Sequence, residues 1–264
     1  MKLTRESTVL VTGANGGIGV AIARAVHSEG ARVIVSGRRR DALAPLEAEL
    51  GARVIVADLA NADDVRRLAD EAGDIDVLVA NAGLPGSGAV VDTPAEDIDR
   101  VLDVNLRAPM QLARAFAPGM MARGRGQIVF ISSIAGKVAP AGSAIYSATK
   151  FGLRGFSLGL RADLASSGVG VTTIFPGFIR DAGMFAATGV KLPPGVGTRS
   201  PEDVADAVLR AIHDDPAELD VAAIEQRVSA FLGSVTPGAI GPLQRLFGAD
   251  RISGELAQAQ RARR

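Results

Sequence analysis

Short runs rich in valine and isoleucine recur along this chain, separated by stretches with the length and spacing of helices. Residues 8–11, 32–36, 53–57, 77–80, 127–131 and 171–175 read as strands, and 218–223 as a last one. Residues 18–27, 41–50, 63–71, 98–120, 145–166 and 201–213 read as helices, the fourth with Pro109 near its middle. A strand that is apolar on both faces needs cover on both, and parallel neighbours need a crossover to join them. The alternation therefore predicts an α/β fold: a central, mostly parallel sheet with helices on both faces. The 264 residues are 47% apolar, enough for one large core, and no repeat or low-complexity linker divides them. A single domain over 1–264 is expected, its pattern diverging from about residue 213. Ser200 before Pro201 is a plausible helix cap. Residues 231–248, where apolar side chains alternate with Gly and Pro, suit a pocket wall, a core cover or a subunit contact equally.

Composition removes several classes of function. Net charge is zero, from 29 basic and 29 acidic side chains, so no nucleic-acid partner is implied. Arg261, Arg263 and Arg264 read as a solvated tail. Without cysteine there is no disulfide or thiolate chemistry, and His27 and His213 belong to no spaced metal-ligand set, so no metal is expected. The first residues lack the order of a secretory signal, and no stretch reads as a membrane span. A soluble cytoplasmic protein, with no stable membrane insertion, is the expectation.

The stretch TGANGGIG, residues 12–19, leaves the first strand and opens the first helix. Gly13, Gly16, Gly17 and Gly19 permit a tight turn and close approach of backbone to a pyrophosphate, which the helix N-terminus favours. The second strand ends in SGRRR, residues 36–40. An acid there would accept from an adenosine ribose; instead Arg38, assisted by Arg39, offers a fork of donors to a ribose phosphate. This predicts NADP(H) in preference to NAD(H). Asp58 after the third strand either accepts from an adenine amino group, with the Leu59 amide beside it, or caps a helix. Asn81, Ala82 and Gly83 follow the fourth strand, where an open sheet places its ligand crevice.

YSATK, residues 146–150, sets a phenol and an ammonium at i and i+4, on one helix face. A free phenol, with pKa about 10, is a poor base near neutrality, and a neighbouring cation lowers it. Lys150 can supply that cation and a hydrogen bond to a nicotinamide ribose. Ser133, just beyond the strand QIVFI, can hold a substrate oxygen, and Gly136, Pro140 and Gly142 let the connection fold back over the helix start.

These segments together resemble the classical short-chain dehydrogenase/reductase family, whose fold is a Rossmann-type three-layer one. The resemblance covers residues 8 to about 212 and rests on TGANGGIG, on NAG at 81–83, on Asn105 in VLDVNLRAP, on ISS at 131–133, on YSATK and on PG at 176–177. It implies catalytic roles for Tyr146 as acid/base, Ser133 as substrate orienter, Lys150 as cofactor holder and Asn105 as the holder of a water on a proton path. It implies cofactor contacts from Gly13, Asn15, Gly16, Gly17, Ile18, Gly19, Arg38, Arg39, Asp58, Leu59, Asn81, Ala82, Gly83, Tyr146, Lys150, Pro176, Gly177 and Ile179. Gly37 stands where NAD-preferring members carry an acid. Asp181 stands where many members have a threonine against the carboxamide, and it has Arg180 beside it to pair with.

Segments 84–90, 134–141 and 178–192 are candidates for the substrate wall. Their Leu84, Val90, Ile134, Val138, Phe178, Met184 and Phe185 favour an apolar carbonyl or alcohol as the small-molecule partner, while Arg180 and Lys191 would suit an acidic one. Residues 180–199 suit a substrate lid. The rival readings are an NADP-binding regulatory or scaffold protein, and a sugar-nucleotide epimerase or dehydratase. Retention of Ser133, Tyr146 and Lys150 weighs against the first, and the short stretch after Ile212 against the second. The helices at 98–120 and 145–166 resemble the family's subunit interface, which implies a homotetramer, with a dimer second.

Overall fold

The computed structural model describes residues 1–186, 188–190, 192 and 196–236. In chain order come β1 (Thr8–Thr12), α1 (Gly17–Ser28), β2 (Arg32–Gly37), α2 (Arg40–Leu50), β3 (Arg53–Val56), α3 (Ala62–Ala72) and β4 (Val77–Ala80). The chain continues with α4 (Ala95–Leu102), α5 (Ala108–Ala122), β5 (Gly126–Ile131), α6 (Ala144–Asp163) and β6 (Val169–Pro176). Then follow α7 (Gly183–Ala186), α8 (Pro201–Asp214), β7 (Glu218–Val221) and α9 (Ile224–Val235). The seven strands pair in the order β3-β2-β1-β4-β5-β6-β7, all parallel. The chain winds outward from β1 to β3, then returns to lay β4 on the other side of β1. Connections therefore diverge at the carboxyl ends of β1 and β4 and open a crevice there.

Strand periodicity splits the core in two. Val9 and Val11 of β1 face α1, α2 and α8 and pack with Ile22, Val26, Leu43, Val204 and Val208. Leu10, between them, faces the other way and packs with Leu78, Ile128 and Phe130 against Leu68, Leu112, Phe116 and Met120 of α3 and α5. Each fully buried side chain of this size contributes roughly 1.5–3 kcal/mol. The same alternation that predicts the sheet thus accounts for both layers of helix.

The helical region at 98–120 is not one helix. A π-helical stretch, Asp103–Arg107, separates α4 from α5. Pro109 lies in the first turn of α5, and its missing N–H explains why regular α-helical pairing is not carried through from α4. The helix expected at 145–166 runs from Ala144 to Asp163. Ser200 caps α8 as its sequence implies: its Oγ accepts from the Asp203 N–H (3.2 Å), and Asp203 Oδ2 accepts from the Ser200 N–H (2.7 Å). Both α7 and α9 are additions to the elements read from sequence. Residues 237–248 and the tail with Arg261, Arg263 and Arg264 lie outside the described residues. Among the described residues no helix is long and apolar enough to cross a membrane.

Candidate active site

The turn between β1 and α1 is built by contact that leaves no room for side chains. Gly13 has φ +63°, and a Cβ on it would lie 2.7 Å from Ala82 Cα. A Cβ on Gly19 would run into Gly13 O. Thr12 Oγ1 accepts from the N–H groups of Asn81 (3.1 Å) and Ala82 (3.2 Å), and Asn81 Nδ2 donates to Thr12 O (2.9 Å) and Gly13 O (3.2 Å). The glycine turn and the segment after β4 are therefore one rigid unit. Helix α1 has Gly16 at its N-cap, with no side-chain cap and no acid in its first turn, so its positive end stays available to an anion.

Above this unit lies a cavity of about 420 Å³. Of the residues proposed for the cofactor, Gly13, Asn15, Gly16, Gly17, Ile18, Gly19, Arg38, Asp58, Leu59, Asn81, Ala82 and Gly83 line it. Arg39, Tyr146, Lys150, Pro176, Gly177 and Ile179 do not line it. Arg39 stands at the N-cap of α2, and Ile179 is buried and bridges to Arg199. The wall is completed by Ser36, Gly37, Ala57, Leu84, Arg100, Val104, Gly183 and Met184.

Asp58 does not cap α3; Asn61 does, its Oδ1 accepting from the N–H groups of Asp63 (2.8 Å) and Asp64 (3.3 Å). The Asp58 carboxylate is paired instead with Arg100, at 3.1 Å, across the cavity. No motif marks Arg100. Its contact spans 42 residues, and only the placement of α4 over the crevice brings it there.

The wall suits a phosphorylated dinucleotide. Ser36 Oγ is buried without a hydrogen-bond partner among the described residues. A Cβ on Gly16 would approach only Gly13 O, at 3.6 Å, so space above it is open. One on Gly37 would lie 2.6 Å from Asn15 Oδ1, the tip of an exposed side chain, and the strand end carries no acid. Arg38 is exposed at the rim and has no carboxylate partner among the described residues.

The catalytic candidates come together at the carboxyl ends of β4 and β5. A Cβ on Gly136 would lie 2.8 Å from Lys150 O, so the turn after Ser133 packs directly on α6. That contact brings the Ser133 hydroxyl beside the Tyr146 phenol. Ser133 Oγ also accepts from the Ala135 N–H (3.1 Å) and stands 3.5 Å from Pro176 O. Lys150 is 2% exposed, donates to Ile131 O at 3.0 Å, and holds its Nζ 5.5 Å from the centre of the Tyr146 ring. Burial pushes the Lys150 ammonium down to about 8.

Tyr146 departs from the sequence argument. Although the residue keeps a partly exposed edge, burial of its phenol pushes it up to about 12, with the Ser133 hydrogen bond acting in the opposite sense. Lys150, turned to Ile131 O, does not offset that burial. Asn105 sits in the π-helical stretch and spends its amide on Leu84: Oδ1 accepts from the Leu84 N–H (2.7 Å), and Nδ2 donates to Leu84 O (2.9 Å) and Thr149 Oγ1 (3.3 Å). It thereby fixes the chain just past Gly83. A Cβ on Gly83 would lie 3.6 Å from Asn105 Oδ1 and 3.7 Å from Lys150 Nζ, so the cavity and the catalytic cluster share that wall.

The substrate-wall candidates divide. Leu84 and Met184 line the cavity, the Phe178 and Phe185 rings lie 4.9 Å apart and tilted at 51°, and Val138 is buried with Ala230. Val90 is 47% exposed. Arg180 and Asp181 pair, at 3.4 Å. Within the stretch proposed as a lid, Ala187, Lys191 and residues 193–195 lie outside the described residues. Among the described residues no three metal-binding side chains cluster.

A short chain dehydrogenase family model matches residues 7–191, and the chain belongs to that family. It is an oxidoreductase that interconverts carbonyl and alcohol groups. The ketoacyl reductase HetN of Nostoc sp. is 34% identical over 255 residues, covering 91% of this chain and 89% of that one. A serine dehydrogenase complexed with NADP+ superposes with a TM-score of 0.75 at 33% identity, covering 83% of this chain and 95% of that one. An actinorhodin polyketide ketoreductase with NADPH superposes with a TM-score of 0.75 at 30% identity, covering 83% and 97%.

Proposed function

We propose that this protein, with NADPH, reduces a ketone on a largely apolar small molecule to a secondary alcohol. The observation that carries the reading is the Ser133–Tyr146 hydroxyl pair above buried Lys150, sharing the Gly83 wall with the cavity. Arg38 and the bare strand end at Gly37 support the phosphorylated cofactor. The ketoreductases among the relatives and the apolar Leu84, Met184, Phe178 and Phe185 support the substrate class.

When bound, the dinucleotide supplies a hydride to the carbonyl carbon. Ser133 Oγ donates a hydrogen bond to the carbonyl oxygen and fixes its direction. As the C=O π bond breaks, that oxygen takes the proton of Tyr146 Oη, leaving a phenolate on a ring whose centre is 5.5 Å from Lys150 Nζ. The raised phenol is fully protonated at neutral pH, which is the state reduction needs. Alcohol oxidation needs the phenolate and should gain rate as pH rises. The exposed apolar side chains of α5 and α6, Met121, Phe151 and Leu158, support a homo-oligomer, tetramer or dimer, joined through these helices.

The test is NADPH oxidation against a panel of ketones, with NADH in parallel. Tyr146→Phe should lower kcat by about 10²–10⁴-fold while leaving NADPH affinity within about twofold. Wild-type rates in that variant would overturn the proton route.

A further inference from the structure

The region beyond residue 191, outside the family match, reaches the active site through two adjacent side chains of α9. Gln226 Oε1 accepts from the Phe178 N–H at 3.1 Å, and its Nε2 donates to Gly197 O at 2.7 Å. Glu225 Oε1 accepts from the Gly197 N–H at 2.6 Å. Gly197 is thus held at both its polar backbone groups. The two strands of chain so joined also bond to each other: the Arg199 N–H donates to Phe178 O (2.9 Å), and the Arg180 N–H to Arg199 O (2.8 Å). Phe178 and Gly197 are the two ends of one loop, and α9 closes its neck.

Two glycines are shaped to this contact. A Cβ on Gly177 would collide with Gln226 Oε1, and one on Gly197 would lie 2.8 Å from Ala223 Cβ. Neither glycine has a positive φ, so it is the closeness of Ala222, Ala223 and Gln226, not backbone conformation, that crowds a side chain there. The amide serves both partners, accepting from an N–H at one end and donating to a carbonyl at the other, which an ionised carboxylate cannot do. The turn so held is the one whose Pro176 O stands 3.5 Å from Ser133 Oγ. The loop that leaves it brings Gly183 and Met184 to the cavity wall.

We infer that Gln226, with Glu225 beside it, is a positioning residue. It fixes the 176–178 turn and the neck of the following loop against Ser133 and the cavity. The inference rests on the ketoreductase reading for its kinetic arm only.

The experiment compares Gln226→Leu and Gln226→Glu with the wild-type chain, by backbone hydrogen exchange, NADPH titration and steady-state kinetics. Gln226→Leu loses both bonds and should speed exchange at Phe178 and Arg199 by about tenfold or more, leaving Val9 and Leu10 unchanged. Gln226→Glu keeps an acceptor for Phe178 but sets a carboxylate against Gly197 O, so exchange should quicken at Arg199 far more than at Phe178. Should Gln226→Leu fail to fold, that unequal pattern in Gln226→Glu still decides. With a ketone substrate, KM in Gln226→Leu should rise about tenfold and kcat change by less than about threefold, as removal of two neutral bonds from a binding wall implies. Unchanged exchange at Phe178 and Arg199, or equal loss of protection throughout the sheet, would overturn the clamp. A wild-type protein that reduces no ketone would overturn the proposed reaction and leave the exchange result to decide the clamp.

Discussion

The cofactor turn and the α9 junction both hold a loop beside the crevice, and they do so in opposite ways. At the turn, glycines let backbone lie against backbone, and the one side-chain hydroxyl and one side-chain amide involved belong to strand ends, Thr12 and Asn81. At the junction, long side chains do the holding. Gln226 and Glu225 grip Gly197. Nearby, Lys137 pairs with Glu218 (3.0 Å) and Asp220 (2.6 Å), and Arg154 pairs with Glu218 (2.6 Å). Lys137 also lies 4.0 Å over the Phe175 ring. Contact without side chains demands glycine at fixed places and tolerates little change. A mesh of polar side chains shares its load, so single losses cost less.

Substitutions should separate the two regions in that order. Gly19→Val, which drives side-chain atoms into Gly13 O and within reach of Asn81, should abolish measurable NADPH binding while the sheet still folds; binding within tenfold of wild type would break the contrast. Lys150→Met tests the buried cation between the regions. Its folded pKa of about 8 lies below the ordinary 10.5, so the folded chain binds fewer protons between those values, and stability should rise with pH across that window. The drop from 10.5 to about 8 amounts to roughly 3 kcal/mol, a cost present in full below pH 8 and absent from the Lys150→Met variant at every pH. Parallel urea curves for the two proteins from pH 7 to 10.5 would refute it.

Arg38→Ala removes one charge-assisted contact and should weaken NADPH by about 1.5–3 kcal/mol while leaving NADH nearly unchanged, as read by fluorescence titration. Equal loss for both cofactors would show that Arg38 does not read the phosphate. Glu218→Gln should cost least, about 1 kcal/mol in thermal unfolding, because Asp220 remains to Lys137 and the cluster is partly exposed. A loss as large as that in Lys150→Met would mean the junction does not share its load.

The same contrast governs what could be read in advance. The turn, the Tyr146–Lys150 pair, Ser133 and the strands that lead to them are legible because each requires particular residue types at local spacing. The pairing of Arg100 with Asp58 and of Gln226 with Phe178 spans 42 and 48 residues, and an arginine or glutamine on a helix announces nothing about its partner. Helix α9 carries a helical spacing in Ile224, Val228, Phe231, Leu232 and Val235, yet these side chains stay exposed, so the alternation of strands and covering helices does not call for it. The fate of the phenol also required three dimensions. Spacing puts Lys150 on the right face, but the carbonyl of Ile131 decides where its ammonium points.

The π-helical stretch between α4 and α5 sets a limit on how this chain can change its length. One residue of α-helix is about 100° of rotation. Asp103–Arg107 hold the phase between Arg100, which must face the cavity, and Leu112 and Phe116, which must face the core. Removing one residue there would yield a smoother helix and a wrong one: either the core side chains turn toward water, or Arg100 and Asn105 leave the site. Shortening or lengthening the chain by a single residue, harmless in many surface loops, is therefore forbidden at this place by angle.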